Sequence, residues 1–220
     1  MIARDLISEN IPGIQLSETG AFALNVMDEL KVSHLPVLNE LVYVGLISET
    51  DIYSLNNTEK PISVHESSLK RLYVSKEQHV FDVIKMMASN NLTVLPVLDE
   101  KDEYLGSVSR MDVINSIAKM SAIENPGGII VLEMSVNDYS LSEIAQIVES
   151  NDAKILNLCI ATGIDSTKLE VTVKTNKINI EPILQTFMRY NYTIKATFAE
   201  KTNYEDMKER LDEFFHFLNI

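Results

Sequence analysis

Cations are scarce in this chain. Nineteen Lys and Arg stand against 32 Asp and Glu, giving a formal net charge of −13. Binding to a phosphate backbone needs the opposite balance, because Lys and Arg are what displace condensed counterions. General nucleic-acid binding is therefore not expected, whereas a basic surface on an unidentified protein partner is compatible with the charge. Long apolar runs are missing too. The N-terminus, MIARDLISENIPG, has no basic stretch followed by an apolar one, and no later run approaches the length of a membrane span. These absences predict a cytoplasmic chain without membrane contact. Cysteine occurs once, at Cys159, which excludes an internal disulfide framework and fits a reducing compartment. Its apolar neighbours in KILNLCIAT predict a buried structural thiol. The four histidines, His34, His65, His79 and His216, show no H-x-x-x-H or Cys/His ligand spacing, so no metal is assigned. No P-loop, Rossmann fingerprint or activated nucleophile pair is visible, so catalytic residues are not expected.

What is present begins with ordinary globular composition, 45% hydrophobic and 23% charged, over a length suited to two modest domains. Within it lies a duplication. HLPVLNELVYVGLISETDI, from His34, and VLPVLDEKDEYLGSVSRMDVI, from Val94, share L-P-V-L, a polar turn and Gly-x-x-Ser-x-x-Asp. Each copy of such a repeat is one supersecondary unit that buries its apolar face against its twin. Ile14 and Leu16 align with Leu72 and Val74 as a strand, followed by Ser17 or Ser75 as a helix cap, Ser75 with Gln78 in capping-box spacing. Leu24, Met27 and Leu30 match Ile84, Met87 and Asn90 at helical spacing. A strand over 35–38 or 95–98, a polar hairpin one residue longer in the second copy, a second strand and a helix opening at Ser48 or Ser109 complete each unit. Pro36 and Pro96 suggest an edge position or a bulge.

Ser48 with Asp51, and Ser109 with Asp112, have the spacing of a capping box, which by itself accounts for all four residues. The same arrangement at a helix start also suits a ligand. The hydroxyl and the N–H groups there can meet a phosphate, and the carboxylate can accept from ribose hydroxyls. The LPV strand, the turn and Gly-x-x-Ser-x-x-Asp, occurring twice over roughly the first 120 residues, resemble a tandem pair of CBS (cystathionine-β-synthase) domains, the Bateman module. That resemblance implies a small-molecule adenosyl ligand, such as AMP, ADP, ATP, NAD or S-adenosylmethionine, as a regulatory ligand and not a required cofactor. It implies Ser48, Asp51, Ser109 and Asp112 as ligand-binding residues, with adenine packed on Leu35 and Pro36 or on Val94, Leu95 and Pro96. His34 stands beside the first of these sites. Arg110 follows the second serine and supplies a cation, where Glu49 follows the first and would repel phosphate, so the Asp112 site is expected to be the better one.

After SAIENPGG the pattern changes to β-α-β-β-α-β: IIVLEMSV, a helix with Leu141, Ile144, Ile147 and Val148 behind Ser140, KILNLCIA, LEVTV, a helix from Ile180 to Met188, and a strand through Ile194, Ala196 and Phe198. This is the ferredoxin-like plan. The segment resembles an ACT domain, although Val136-Asn137-Asp138-Tyr139-Ser140 lacks the glycine turn of amino-acid-binding members, so a dimerisation role is expected. NYEDMKERLDEFFHFLNI reads as an amphipathic C-terminal helix. The expected architecture is mixed α/β: CBS domains at 1–60 and 61–122, a linker at 123–128, an ACT-like domain at 129–200 and a helix at 201–220. That order resembles AcuB-type acetoin-utilisation proteins and implies a regulatory homodimer. The alternative is a structural or interaction module whose CBS sites hold no ligand.

Overall fold

The computed structural model describes residues 1–8, 10–54, 57–162 and 167–199, so the helix expected over 201–220 lies outside the described residues. The chain forms two compact units, Met1–Ile117 and Ala118–Ile220. The first contains the duplication. Repeat 1 consists of β1 (Ile14–Gln15), α1 (Gly20–Leu30), β2 (His34–Asn39), β3 (Val42–Ser48) and α2 (Glu49–Tyr53). Repeat 2 consists of β4 (Val74–Ser75), α3 (Val80–Ser89), β5 (Val94–Leu98), β6 (Tyr104–Ser109) and α4 (Arg110–Met120). Each repeat builds a three-stranded sheet, β1-β2-β3 or β4-β5-β6, with the first pair parallel and the second antiparallel.

The register corrects the strand alignment. Ile14 pairs with Val37 and Val74 with Val97, so Ile14 corresponds to Val74 and not to Leu72. The helix caps move accordingly. Thr19 accepts from the Phe22 N–H and His79 from the Phe81 N–H, whereas Ser75 donates its own N–H to Gln78 before the helix begins. The proline expectation also changes, since Pro36 and Pro96 lie in the middle strands. They fit there because β1 and β4 pair only with the two residues that follow each proline, so no ladder partner is needed on that side. A bulge then falls immediately beyond, between Val37 and Leu38 and between Val97 and Leu98.

Neither repeat closes its own core. Ala3 and Leu6, which precede repeat 1, sit in the core of repeat 2 with Val80, Val83, Leu95 and Val97. Ile62, which precedes repeat 2, sits in the core of repeat 1 with Ile14, Met27, Leu35 and Ile52. Backbone bonds fix both exchanges. Ala3 N–H donates to Gln78 O at 2.8 Å and Ser8 N–H to Ser107 O at 2.8 Å; Ile62 N–H donates to Glu18 O at 2.8 Å and Leu46 N–H to Lys70 O at 2.8 Å. A joint cluster of Leu38, Tyr43, Leu98, Tyr73 and Tyr104 lies between the repeats. There the Tyr43 hydroxyl donates to Leu72 O and the Tyr104 hydroxyl to Ile11 O, so each repeat pins the segment leading into the other. Burial pushes both phenols above their ordinary pKa, which keeps them neutral donors.

The second unit is a four-stranded antiparallel sheet in the order β10-β7-β9-β8, with β7 at Ile129–Ser135, β8 at Ile155–Thr162, β9 at Lys168–Thr175 and β10 at Thr193–Phe198. Helices α5 (Leu141–Glu149) and α6 (Glu181–Arg189) cover one face, burying Ile144, Ile147, Ile183 and Phe187 against Ile130, Leu132, Val171 and Val173. This is the expected βαββαβ plan. Cys159 is not the buried thiol that its neighbours suggested. It pairs with Thr172 on the face opposite Val171 and Val173, in the edge strand β8, and is exposed. Apolar neighbours on a strand alternate between faces, and it is Leu158, opposite Val173, that packs against the core.

The motif glycine has a packing reason. Gly106 has φ +147°, and a Cβ there would meet Ile7 Cγ2 at 2.4 Å. Gly106→Ala is therefore expected to lower stability by about 1–3 kcal/mol through strain and displacement of the lead-in segment. Equilibrium urea unfolding followed by far-UV circular dichroism measures it; an unchanged midpoint would show that the segment does not press on the glycine.

Candidate functional site

The two Ser-x-x-Asp pairs adopt one geometry. Ser48 N–H donates to Asp51 Oδ2 at 3.0 Å, Ser48 Oγ–H to the same oxygen at 2.5 Å, and Asp51 N–H to Ser48 Oγ at 3.1 Å. In repeat 2 the corresponding distances are 2.9, 2.5 and 3.1 Å. Both capping boxes are thus formed, and the acid and serine of each pair hold one another in place. In both, the serine donates to Oδ2 of the acid.

Each pair stands on the wall of a cleft. The first cleft, of about 440 Å³, is lined by Ser33, His34, Ser48, Glu49, Thr50 and Asp51 from repeat 1, by Lys70 and Leu72 from the segment leading into repeat 2, and by Asn90–Thr93 and Arg110. The second, of about 490 Å³, is lined by Ser109, Arg110, Met111, Asp112 and Thr93, by Leu30, Lys31 and Val32 of the α1–β2 turn, and by Ser8, Asn10 and Ile11. The clefts are quasi-twofold copies: the bridge between Leu46 and Lys70 at the first corresponds to that between Ser107 and Ser8 at the second. Exchange of lead-in segments is what brings Lys70 to Asp51 and Ser8 to Asp112.

Arg110 does not serve only the Asp112 side. Its Nε donates to Leu92 O at 2.7 Å, and its Nη2 to Asn91 O at 2.9 Å and Asn91 Oδ1 at 2.7 Å. Asn91 and Leu92 line the Asp51 cleft and not the Asp112 cleft, although Arg110 itself borders both. The other cation bordering the Asp112 cleft, Lys31, is held by Asp28 at 2.9 Å. Glu49 lines the Asp51 cleft, but its carboxylate accepts a hydrogen bond from the Tyr53 hydroxyl one turn along α2.

His34 is half-buried where the repeats meet. Its Nδ1 accepts from the Thr93 N–H at 3.3 Å and lies 3.0 Å from Thr93 Oγ1, while Ser33 N–H donates to that oxygen at 3.0 Å. Burial holds the imidazole pKa below its ordinary value, with Arg110 and then Lys70 acting in the same direction and Asp51 opposing them. His34 is therefore both a packed histidine and part of the cleft wall.

Of the other residues expected at the sites, Leu35, Pro36, Val94, Leu95 and Pro96 are buried in the strands and border neither cleft. Lys70, Asn91 and Thr93 were not legible as site residues. Lys70 had no sequence signal, since it stands four residues ahead of β4 where its structural counterpart Ser8 stands six ahead of β1, and it becomes a cleft residue of repeat 1 only through the exchange. In the second unit, Val136–Asp138 forms a 3-10 turn capped by Ser135, and the cavity beside it, about 510 Å³, includes Glu133, Asp138, Glu143 and Tyr192. The Tyr192 hydroxyl donates to Glu143 Oε2 at 2.6 Å.

Several known proteins are similar to parts of this chain. Inosine-5'-monophosphate dehydrogenase of Methanocaldococcus jannaschii is 21% identical over 150 residues, 67% of this chain and 30% of that enzyme. The chain spans well under half the length of three archaeal relatives it matches, 30, 42 and 35%. Among solved structures, a CBS domain pair/ACT domain protein from Thermotoga maritima is 20% identical, with a TM-score of 0.49 over 54% of this chain and 98% of that one. A CBSX2 structure in complex with AMP is also 20% identical, with a TM-score of 0.46 over 54% of this chain and 96% of that one. The CBS domain profile matches residues 3–56 and again 58–119, which together make up more than half of the sequence, so the chain belongs to the CBS domain family and carries a tandem pair.

Proposed function

We propose that this chain is a non-catalytic regulatory protein that binds an adenine nucleotide or another adenosyl ligand in its CBS pair and signals through a homodimer. The observation that carries this is the convergence in one cleft of a paired hydroxyl and carboxylate, Ser48 and Asp51, with Thr50 and two cations, Lys70 and Arg110. A carboxylate can accept from ribose hydroxyls, and the cations complement phosphate. The Asp51 cleft is taken as the principal site, reversing the order suggested by Arg110 alone. Lys70 has only Ser8 as its counterpart at Asp112, and the Arg110 guanidinium is tied to the Asn91–Leu92 turn. Of the adenosyl ligands, AMP, ADP, ATP and NAD fit two cations better than S-adenosylmethionine, whose sulfonium is itself positive.

Calorimetry tests this directly. ATP is expected to bind, Lys70→Ala to weaken it about tenfold, and S-adenosylmethionine to bind more weakly than ATP. Absence of heat with AMP, ADP, ATP, NAD and S-adenosylmethionine would remove the adenosyl assignment. The fully formed capping boxes favour a second role, an interaction module in which Ser48, Asp51, Ser109 and Asp112 only secure helix starts. In that case Asp51→Ala lowers stability by about 1 kcal/mol and changes no nucleotide affinity, because there is none to change.

The dimer has support within the first unit. Ile114 is 57% exposed and lines, with Ile84, Met87, Ala88 and Val113, an apolar groove on α3 and α4. A contiguous apolar surface of this kind suits a second copy. The ferredoxin-like unit supports assignment as an ACT-like dimerisation domain, and its order after the CBS pair supports kinship with AcuB-type regulators. Ile114→Glu is expected to shift sedimentation from dimer toward monomer; an unchanged dimer would place the interface elsewhere.

A further inference from the structure

His34, on the wall of the Asp51 cleft, bonds to Thr93, which with Arg110 borders both clefts. The polar groups of Thr93 are all engaged, the N–H and Oγ1 across the seam and the O within repeat 2. Its O accepts from Arg110 N–H, its Oγ1 from Ser33 N–H, and its N–H donates to His34 Nδ1. A backbone N–H cannot reverse its direction, so while that bond is made Nδ1 presents a lone pair and the ring proton resides on Nε2. A proton added to Nδ1 would aim one N–H at another and leave the Thr93 N–H without its acceptor, while the new Nδ1–H donates to Thr93 Oγ1, 3.0 Å away.

The charges around the ring face it from three elements. Asp51 and Glu49 come from the start of α2, Lys70 from the segment leading into β4, and Arg110 from the start of α4. Two cations and burial oppose a further positive charge, and Asp51 favours it. An anion placed among Lys70, Arg110 and His34 would neutralise that opposition and favour the imidazolium. Thermodynamic linkage makes the effect reciprocal: whatever raises proton affinity when the anion binds raises anion affinity when the proton binds.

We propose that His34 is a proton-operated latch between the repeats: neutral, it accepts from the Thr93 N–H, and an anion entering the Asp51 cleft drives its protonation, which frees that N–H and moves the bond to Thr93 Oγ1, on a residue that also borders the Asp112 cleft. The proton comes from solvent and attaches at Nδ1; no covalent bond to the anion forms. The anion step rests on the assignment of the Asp51 cleft as a nucleotide site, whereas the latch itself does not.

The sign for stability follows from the lowered folded-state pKa. The contribution of His34 is fully present above the unfolded value of 6.5 and is lost as pH falls through 6.5 toward the depressed folded value. Nitrogen-15 NMR of histidine-labelled full-length protein tests the latch. The expected result in the free protein is an unprotonated Nδ1 with the proton on Nε2, a His34 midpoint below 6.5, and a Thr93 amide that titrates with it. A proton on Nδ1 at pH 7.5, or a midpoint at or above 6.5, would overturn the latch. The urea midpoint should fall between pH 7.5 and pH 5.5 by more in the wild type than in His34→Asn, which keeps an acceptor near Nδ1 but does not titrate; equal falls also overturn it. With saturating ATP, the His34 midpoint should rise, and the gain in ATP affinity from pH 7.5 to pH 6 should be about fivefold greater in the wild type than in the variant. The variant cancels the titration of ATP itself. ATP that binds without moving the midpoint overturns the anion step alone, and failure of ATP to bind overturns the nucleotide assignment while the tautomer and midpoint still decide the latch.

Discussion

The structure depends on a mutual exchange: each CBS repeat completes its core with the segment that leads into the other. A sheet of three strands backed by short helices buries little apolar area alone, and the first strand of each sheet, β1 or β4, contributes only two residues. Ala3 and Leu6 filling repeat 2 and Ile62 filling repeat 1 make the pair a single cooperative body. Several otherwise separate features follow. The motif glycines leave room for the exchanged segments, with Gly45 pressed by Leu69 and Gly106 by Ile7. The twin tyrosines Tyr43 and Tyr104 hold those segments by their carbonyls.

The same exchange creates the clefts and makes them chemically unequal. Quasi-twofold symmetry gives each a Ser-x-x-Asp pair in one geometry, so the pair itself cannot distinguish them. Their difference comes from positions where the copies diverge. Lys70 stands where the other cleft has Ser8, Glu49 where the other repeat has Arg110, and His34 where the other has Val94. Arg110 then crosses to the Asn91–Leu92 turn, so a residue of repeat 2 contributes its charge to the cleft of repeat 1. Duplication supplied the frame, and the diverged side chains supplied chemical direction.

Most of the local structure was legible from the sequence because it is encoded over short separations. The LPV strands, the hairpin one residue longer in the second copy, the serine caps at Ser48 and Ser109 and the βαββαβ order all rest on neighbours within a few residues. The errors have physical causes. A two-residue strand has no periodicity to read, so Ile14 was aligned two places from its true equivalent, Val74. Burial of Cys159 was inferred from its neighbours without knowing that β8 is an edge strand with one open face. Lys70 and Thr93 reach the site through the exchange, and no local pattern encodes contacts across 24 or 60 residues of the kind made by Leu46 with Lys70 or Ser33 with Thr93.

A binding event in such a pair becomes a signal only if it alters something that another surface shares. Ser48, Thr50 and Asp51 of the Asp51 cleft fail that condition, because they bond chiefly with one another at a helix start. Thr93 meets it, as it belongs to both clefts and joins the repeats through side chain and backbone. Arg110 borders both as well, but several hydrogen bonds to a turn hold it in one arrangement. Of these two shared residues, only Thr93 has a partner whose bonding reverses on gaining a single proton. A device of that kind needs no large movement in the free protein: one hydrogen bond exchanged for one charge, in a seam this short, changes which arrangement of the repeats binds the next ligand better.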